Sequence, residues 1–128
     1  MPHFTLEYTD NIKQEARISL LLEKVNDLLI SKSPLFPVGG IRSRAIELHD
    51  YRVADGKEDD AFVHATLKIG AGRSEADKKN VCEELFAVIK EHFAEMYERR
   101  YLALSLELIE FSEAGTYKHN NIHGRFRK

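Results

Sequence analysis

Pro2, Phe4, Leu6 and Tyr8 fall on one side of an alternating run, with His3, Thr5 and Glu7 on the other. That period of two predicts a strand over residues 2–9. Asp10-Asn11 is a turn or cap signal. Ile18, Leu21, Leu22, Val25, Leu28 and Leu29 then recur at helical spacing and predict a helix over about residues 14–30. Residues 31–40 hold two prolines, two glycines and two serines and read as a loop. A second strand follows over 41–52, with Arg42, Arg44, Ile46 and Leu48 pointing one way, and the polar stretch 55–60 marks the midpoint of the chain.

The order then repeats. Val63, Ala65, Leu67 and Ile69 share one face of a strand over 61–69, and Gly70-Ala71-Gly72-Arg73 turns the chain. Ser74 is placed to cap a helix whose first turn carries Glu75 and Asp77. Val81, Leu85, Val88, Ile89, Phe93 and Met96 continue its apolar stripe, and Leu102, Leu104, Leu106 and Leu108 form a fourth strand. Residues 112–128 are a polar, basic tail. Two β-α-β units, over about 2–54 and 61–111, predict parallel pairing within each unit. The fold class is therefore α/β (α+β), a two-layer sandwich with a four-stranded sheet and two helices on one face, in one domain spanning 1–128. Leu67, Leu104 and Leu106 make the strands more apolar than one helical layer needs, so an oligomer that covers the second sheet face is expected.

Composition narrows the classes. Hydrophobic residues are 43% and charged residues 31% of 128, which is ordinary globular protein rather than disorder. The net charge of -2 gives no whole-molecule case for nucleic acid. A single cysteine, Cys82, cannot close an internal disulfide, so a reducing cytoplasm is expected. No apolar run reaches membrane-spanning length and no signal-peptide layout opens the chain, so no membrane partner is expected.

The residue that draws most attention is Pro2. Removal of Met1 would leave a secondary amine fixed by its ring and by the strand behind it. An ordinary α-amino group titrates near ~8, and burial and nearby cations would lower that value until the nitrogen serves as a general base near neutrality. Pro2 is also simply a common second residue. Arg42 and Arg73 each stand beside a glycine-containing turn. Their planar forks suit two carboxylates and a developing dienolate. Arg44 shares the face of Arg42 and stays a candidate, and surface ion pairing is the plain alternative for all three. Gly70–Ser74 offers an anion nest but lacks both the dinucleotide and the phosphate-loop fingerprints. His3, His49, His64, His92, His119 and His123 complete no metal-ligand set, so no metal is expected. Cys82 reads as a packed helix residue. Lys118, Arg125, Arg127 and Lys128 with Phe126 read as an arm that wraps a neighbouring subunit rather than a nucleic-acid contact.

These pieces together resemble a known family. Met-Pro-His-Phe at the start, Gly40-Ile41-Arg42-Ser43-Arg44, Leu67-Lys68-Ile69-Gly70-Ala71-Gly72-Arg73-Ser74 and Asn120-Asn121-Ile122-His123 are similar to the 5-carboxymethyl-2-hydroxymuconate Δ-isomerases of the tautomerase superfamily. Nearly the whole chain is covered. The resemblance implies a tautomerase fold, a homotrimer and no cofactor. It implies Pro2 as acid–base group and Arg42 and Arg73 as substrate-binding residues. The activity implied is conversion of a dicarboxylate or tricarboxylate enol, 5-carboxymethyl-2-hydroxymuconate, to its 2-oxo-3-ene isomer in homoprotocatechuate breakdown. Phe4 and a neighbouring subunit are expected to wall the site. Residues 31–35, 44–52 and 110–117 depart from the family pattern and bear on substrate preference. Another tautomerase-fold activity on an unsaturated 2-oxo acid, or a non-catalytic dicarboxylate-binding oligomer, are the alternatives.

Overall fold

The alternation at the start of the chain becomes a strand because it has a helical layer on only one side to bury into. In the computed structural model, which describes residues 1–127, β1 (His3–Thr9) puts Phe4, Leu6 and Tyr8 into the core and His3, Thr5 and Glu7 on the opposite face. It is followed by α1 (Ile18–Ser31), β2 (Arg42–Leu48), β3 (Ala61–Gly70), α2 (Glu75–His92), α3 (Ala94–Arg99) and β4 (Leu102–Phe111). Short 3-10 turns lie at Asp10–Ile12, Val38–Gly40 and Ile122–Phe126. The sheet order is β2-β1-β3-β4. β1 pairs with β2 in parallel and β3 with β4 in parallel, as β-α-β crossovers require. The antiparallel β1–β3 pair joins the two halves and sets His3 opposite Lys68.

The core lies between sheet and helices. Leu21, Val25 and Leu29 of α1 and Val81, Leu85 and Ile89 of α2 meet Phe4, Leu6, Val63, Ala65, Leu67 and Ile69. Each large apolar side chain removed from water contributes about 1.5–3 kcal/mol, which is what holds the two layers together. Leu67, Leu104 and Leu106 belong to this same face and pack against the helices. The expectation that they signal a second apolar face is thus corrected. The uncovered face carries His3, Thr5, Glu7, Arg44, His64, Thr66, Lys68, Ser105 and Glu107, with Ile46 and Ile109 exposed among them. It is a polar surface laced with contacts such as His64 to Ser105 (2.6 Å) and to Glu107 (3.1 Å).

Three boundaries shift. α1 starts at Ile18 rather than near 14, because the amides of Glu15 and Ala16 both donate to the Ile12 carbonyl and Arg17 turns left-handed at φ 46°. β2 ends at Leu48 rather than 52, where the chain leaves for a turn closed by Gly56 N–H donating to Val53. The second apolar stripe is split at Phe93 into α2 and α3. Ser74 caps α2 as expected, its hydroxyl accepting from the Asp77 amide at 3.1 Å. The tail folds back on its own chain: Asn120 Nδ2 donates to the Gly39 carbonyl at 2.9 Å, and His123 seats on Gly39. Over these residues the tail is held against its own chain at Gly39; Lys128 of the basic tail lies outside the described residues.

Candidate active site

Pro2 is buried one residue before β1 begins. Its carbonyl accepts the Arg42 amide at 3.1 Å, so the first bond of the β1–β2 ladder fixes the start of the chain against the first residue of β2. Met1 precedes it here, which makes the Pro2 nitrogen an amide and puts the free amine on Met1. Met1 lies over Gly40, where an added Cβ would come within 3.5 Å of its Cα. Burial pushes the Met1 amine below its ordinary value of 8.0; Arg73, Lys118 and Arg42 add to that by repulsion, and Glu113 opposes them. The sequence-predicted residues Pro2, Arg42 and Arg73 therefore meet at one end of the sheet.

Backbone carbonyls aim both arginines. Arg42 Nη1 donates to the Gly40 carbonyl at 2.9 Å. Arg73 Nη1 donates to Gly70 at 3.0 Å and its Nη2 to Leu35 at 2.9 Å, while its guanidinium lies 4.8 Å above the Phe36 ring. Arg73 Nε is buried without a partner. Among the described residues, neither guanidinium pairs with a carboxylate. Neutral acceptors orient these groups and leave their charge uncompensated, which suits an anionic guest.

Arg44 is placed elsewhere. It sits on the uncovered sheet face with its Nη1 3.2 Å from His3 Nδ1, in a depression also lined by Thr5, Thr66 and Lys68. His3 is held below its ordinary value by burial first, then by Arg44 and Arg42. Phe4 is fully buried under the helices and does not wall the site; Phe36 takes that place beneath Arg73. At the Gly70–Ser74 turn the Gly70 carbonyl accepts from Arg73 and the Ser74 hydroxyl oxygen accepts from the Asp77 amide. Four parts of the site escaped the sequence reading as site residues. Phe36 and the Leu35 carbonyl reach Arg73 from 37 and 38 positions away in the chain, and Glu113 and Lys118 arrive from the tail.

Other features lie at the opposite end of the sheet. A depression of about 760 Å³ is lined by Val53, Asp60 and the segment around Arg99–Ala103. Asp10, Glu47 and His49 offer ligand atoms within 4.8 Å of one another, but His49 is bound to Asp10 at 3.0 Å and Glu47 to Lys13 at 3.2 Å. No helix among the described residues is long and apolar enough to cross a membrane.

Two parallel-paired β-α-β units, joined by the antiparallel β1–β3 pair into one four-stranded sheet beneath the helices, form the tautomerase fold. A fused 4-OT symmetric trimer shares that fold alone, at TM-score 0.58 and 17% identity, over 84% of this chain and 85% of that one. The nearer likeness is specific. The family model for 5-carboxymethyl-2-hydroxymuconate isomerase matches residues 2–126, and the chain belongs to that family. It is 46% identical over 127 residues to the 5-carboxymethyl-2-hydroxymuconate Delta-isomerase of Escherichia coli, covering 99% of this chain and all (100%) of that one. A crystal structure of a 5-carboxymethyl-2-hydroxymuconate isomerase from Deinococcus radiodurans R1 superposes with TM-score 0.95 at 57% identity, over 99% of this chain and 95% of that chain.

Proposed function

We propose that this chain is a cofactor-independent isomerase that converts 5-carboxymethyl-2-hydroxymuconate to its 2-oxo-3-ene isomer, with the Pro2 amine, freed by removal of Met1, as proton carrier. It works in the cytoplasm as a homotrimer, one domain per chain, in homoprotocatechuate breakdown. The observation that carries the reading is the pair of carboxylate-free guanidiniums, Arg42 and Arg73, set around a buried chain start whose amine is held below its ordinary value. Membership of the isomerase family supports the choice of substrate.

The neutral Pro2 nitrogen removes the proton of the 2-hydroxyl. Electron density moves from that oxygen through the diene, and the dienolate is stabilised by the arginine charges. The prolinium returns the proton to C5. The C2–O bond becomes a carbonyl, the double bonds at C2–C3 and C4–C5 are replaced by one at C3–C4, and the base is regenerated neutral. Phe36, against whose ring the Arg73 guanidinium lies, shields that charge from water on one side.

The test pairs mass spectrometry of the chain start with an absorbance assay on 5-carboxymethyl-2-hydroxymuconate. Protein beginning at Pro2 is expected to isomerise it, protein retaining Met1 to be nearly inactive, and Pro2→Ala, which keeps a primary amine, to retain part of the rate. Full activity with Met1 attached rejects the role of Pro2.

A further inference from the structure

We propose that Lys118 is a specificity-determining residue that receives the carboxymethyl carboxylate of the substrate. This rests on the isomerase reading above. The substrate has three carboxylates, two ending the conjugated diene and one on a rotatable methylene arm. Arg42 and Arg73 supply two guanidiniums, so a third cation is wanted. Planar forks suit the carboxylates held in the diene plane, whereas an ammonium on a flexible stem can follow a rotating arm.

The tail brings such an ammonium to the site. Phe111, the last residue of β4, is the register partner of Gly70, whose carbonyl anchors Arg73. Lys118 Nζ lies 5.9 Å from the centre of the Phe111 ring and 3.5 Å from Glu113 Oε2. Glu113 in turn covers Gly70 so closely that a Cβ there would meet its Oε1 at 2.5 Å. Lys118 thus sits one side chain removed from the Arg73 anchor. Asn120 and His123 pin the following residues to Gly39, which fixes where its stem begins. Its repulsion of the chain-start amine outranks that of Arg42, as expected of a charge on the same side of the site. The Glu113 carboxylate is a stand-in of low cost: the pair is partly exposed, 37% and 61% for the two side chains, and exposed pairs exchange partners readily.

The experiment compares kcat and KM on 5-carboxymethyl-2-hydroxymuconate and on 2-hydroxymuconate, which lacks the arm. Lys118→Met is expected to raise KM for the tricarboxylate about ten- to a hundred-fold, the loss of one charge-assisted hydrogen bond, and KM for the dicarboxylate far less; the ratio of the two KM values is the readout, because any change in kcat from the altered charge beside the chain-start amine is common to both substrates. Lys118→Arg restores most of the affinity, and Glu113→Gln lowers the tricarboxylate KM by freeing Lys118. Equal losses on both substrates, or no loss on either, overturn the assignment while leaving the isomerase reading intact. Wild-type protein with a free Pro2 amine that turns over neither substrate overturns both.

Discussion

In the role proposed for Pro2, the chemistry would turn on a balance between burial and charge. Desolvation lowers the affinity of the Met1 amine for a proton, and Arg73, Lys118 and Arg42 deepen the effect; a Pro2 amine freed beside it would meet the same charges. A base is active when deprotonated, so kcat/KM is expected to rise with pH along a limb whose midpoint lies below the ordinary α-amino value of about 8. Replacing Arg73 by Ala removes the largest repulsive charge. Titration of the ¹⁵N-labelled Pro2 amine is then expected to move upward, while kcat/KM falls about 10²–10³-fold from lost dienolate stabilisation. Arg73→Lys should recover little, since an ammonium cannot hold Gly70 and Leu35 while keeping a fork toward substrate. An unmoved titration in Arg73→Ala would show that burial alone sets the value.

Among the elements, the junction of α1 and α2 depends on one histidine. His92 Nε2–H donates to the Ala16 carbonyl at 2.7 Å and Nδ1 accepts from Lys24 Nζ at 3.1 Å, which requires the neutral ring. Burial holds His92 below its ordinary value, with Lys24 and Arg17 adding repulsion. The unfolded chain therefore binds more protons than the folded one as pH falls through about 6.5, and stability declines from there down to the folded value before levelling. Melting temperature should show this acid slope in the wild type and lose it in His92→Gln, which keeps a donor for Ala16; an unchanged slope assigns the acid sensitivity elsewhere. The same contact explains why sequence misplaced the start of α1. Periodicity marked Ile18 through Leu29 correctly, but the turn at residues 12–17 is closed by Ile12 and held by a residue 76 positions later. The strands and the Ser74 cap were legible because each depends on neighbours two to four residues away.

For the whole molecule, the strand periods and apolar stripes led to the right layers and pairing. They did not show which face the leucines of β4 take, nor that the tail returns to Gly39. Both depend on register and on contacts across the chain. What argues for assembly is the uncovered face itself, with Ile46 and Ile109 exposed between charged neighbours, together with the unpaired outer edges of β2 and β4. Light scattering is expected to give about three times the 14.7 kDa chain mass. Thr66→Arg, which crowds a further cation beside Lys68 and Arg44, is expected to shift the mass downward with an unchanged circular-dichroism spectrum. A wild-type mass of one chain would reject the trimer.

Gly40 lies under Met1 and its neighbour Gly39 under His123. Met1 and the tail residue His123 thus converge on two adjacent residues that have no side chain. An affinity handle fused ahead of Met1 would crowd the proposed site, and one appended behind the tail would tug on the segment bearing Lys118. Purification without a handle, or with one excised to leave Pro2 leading, is the preparation in which this enzyme's chemistry can be read undisturbed.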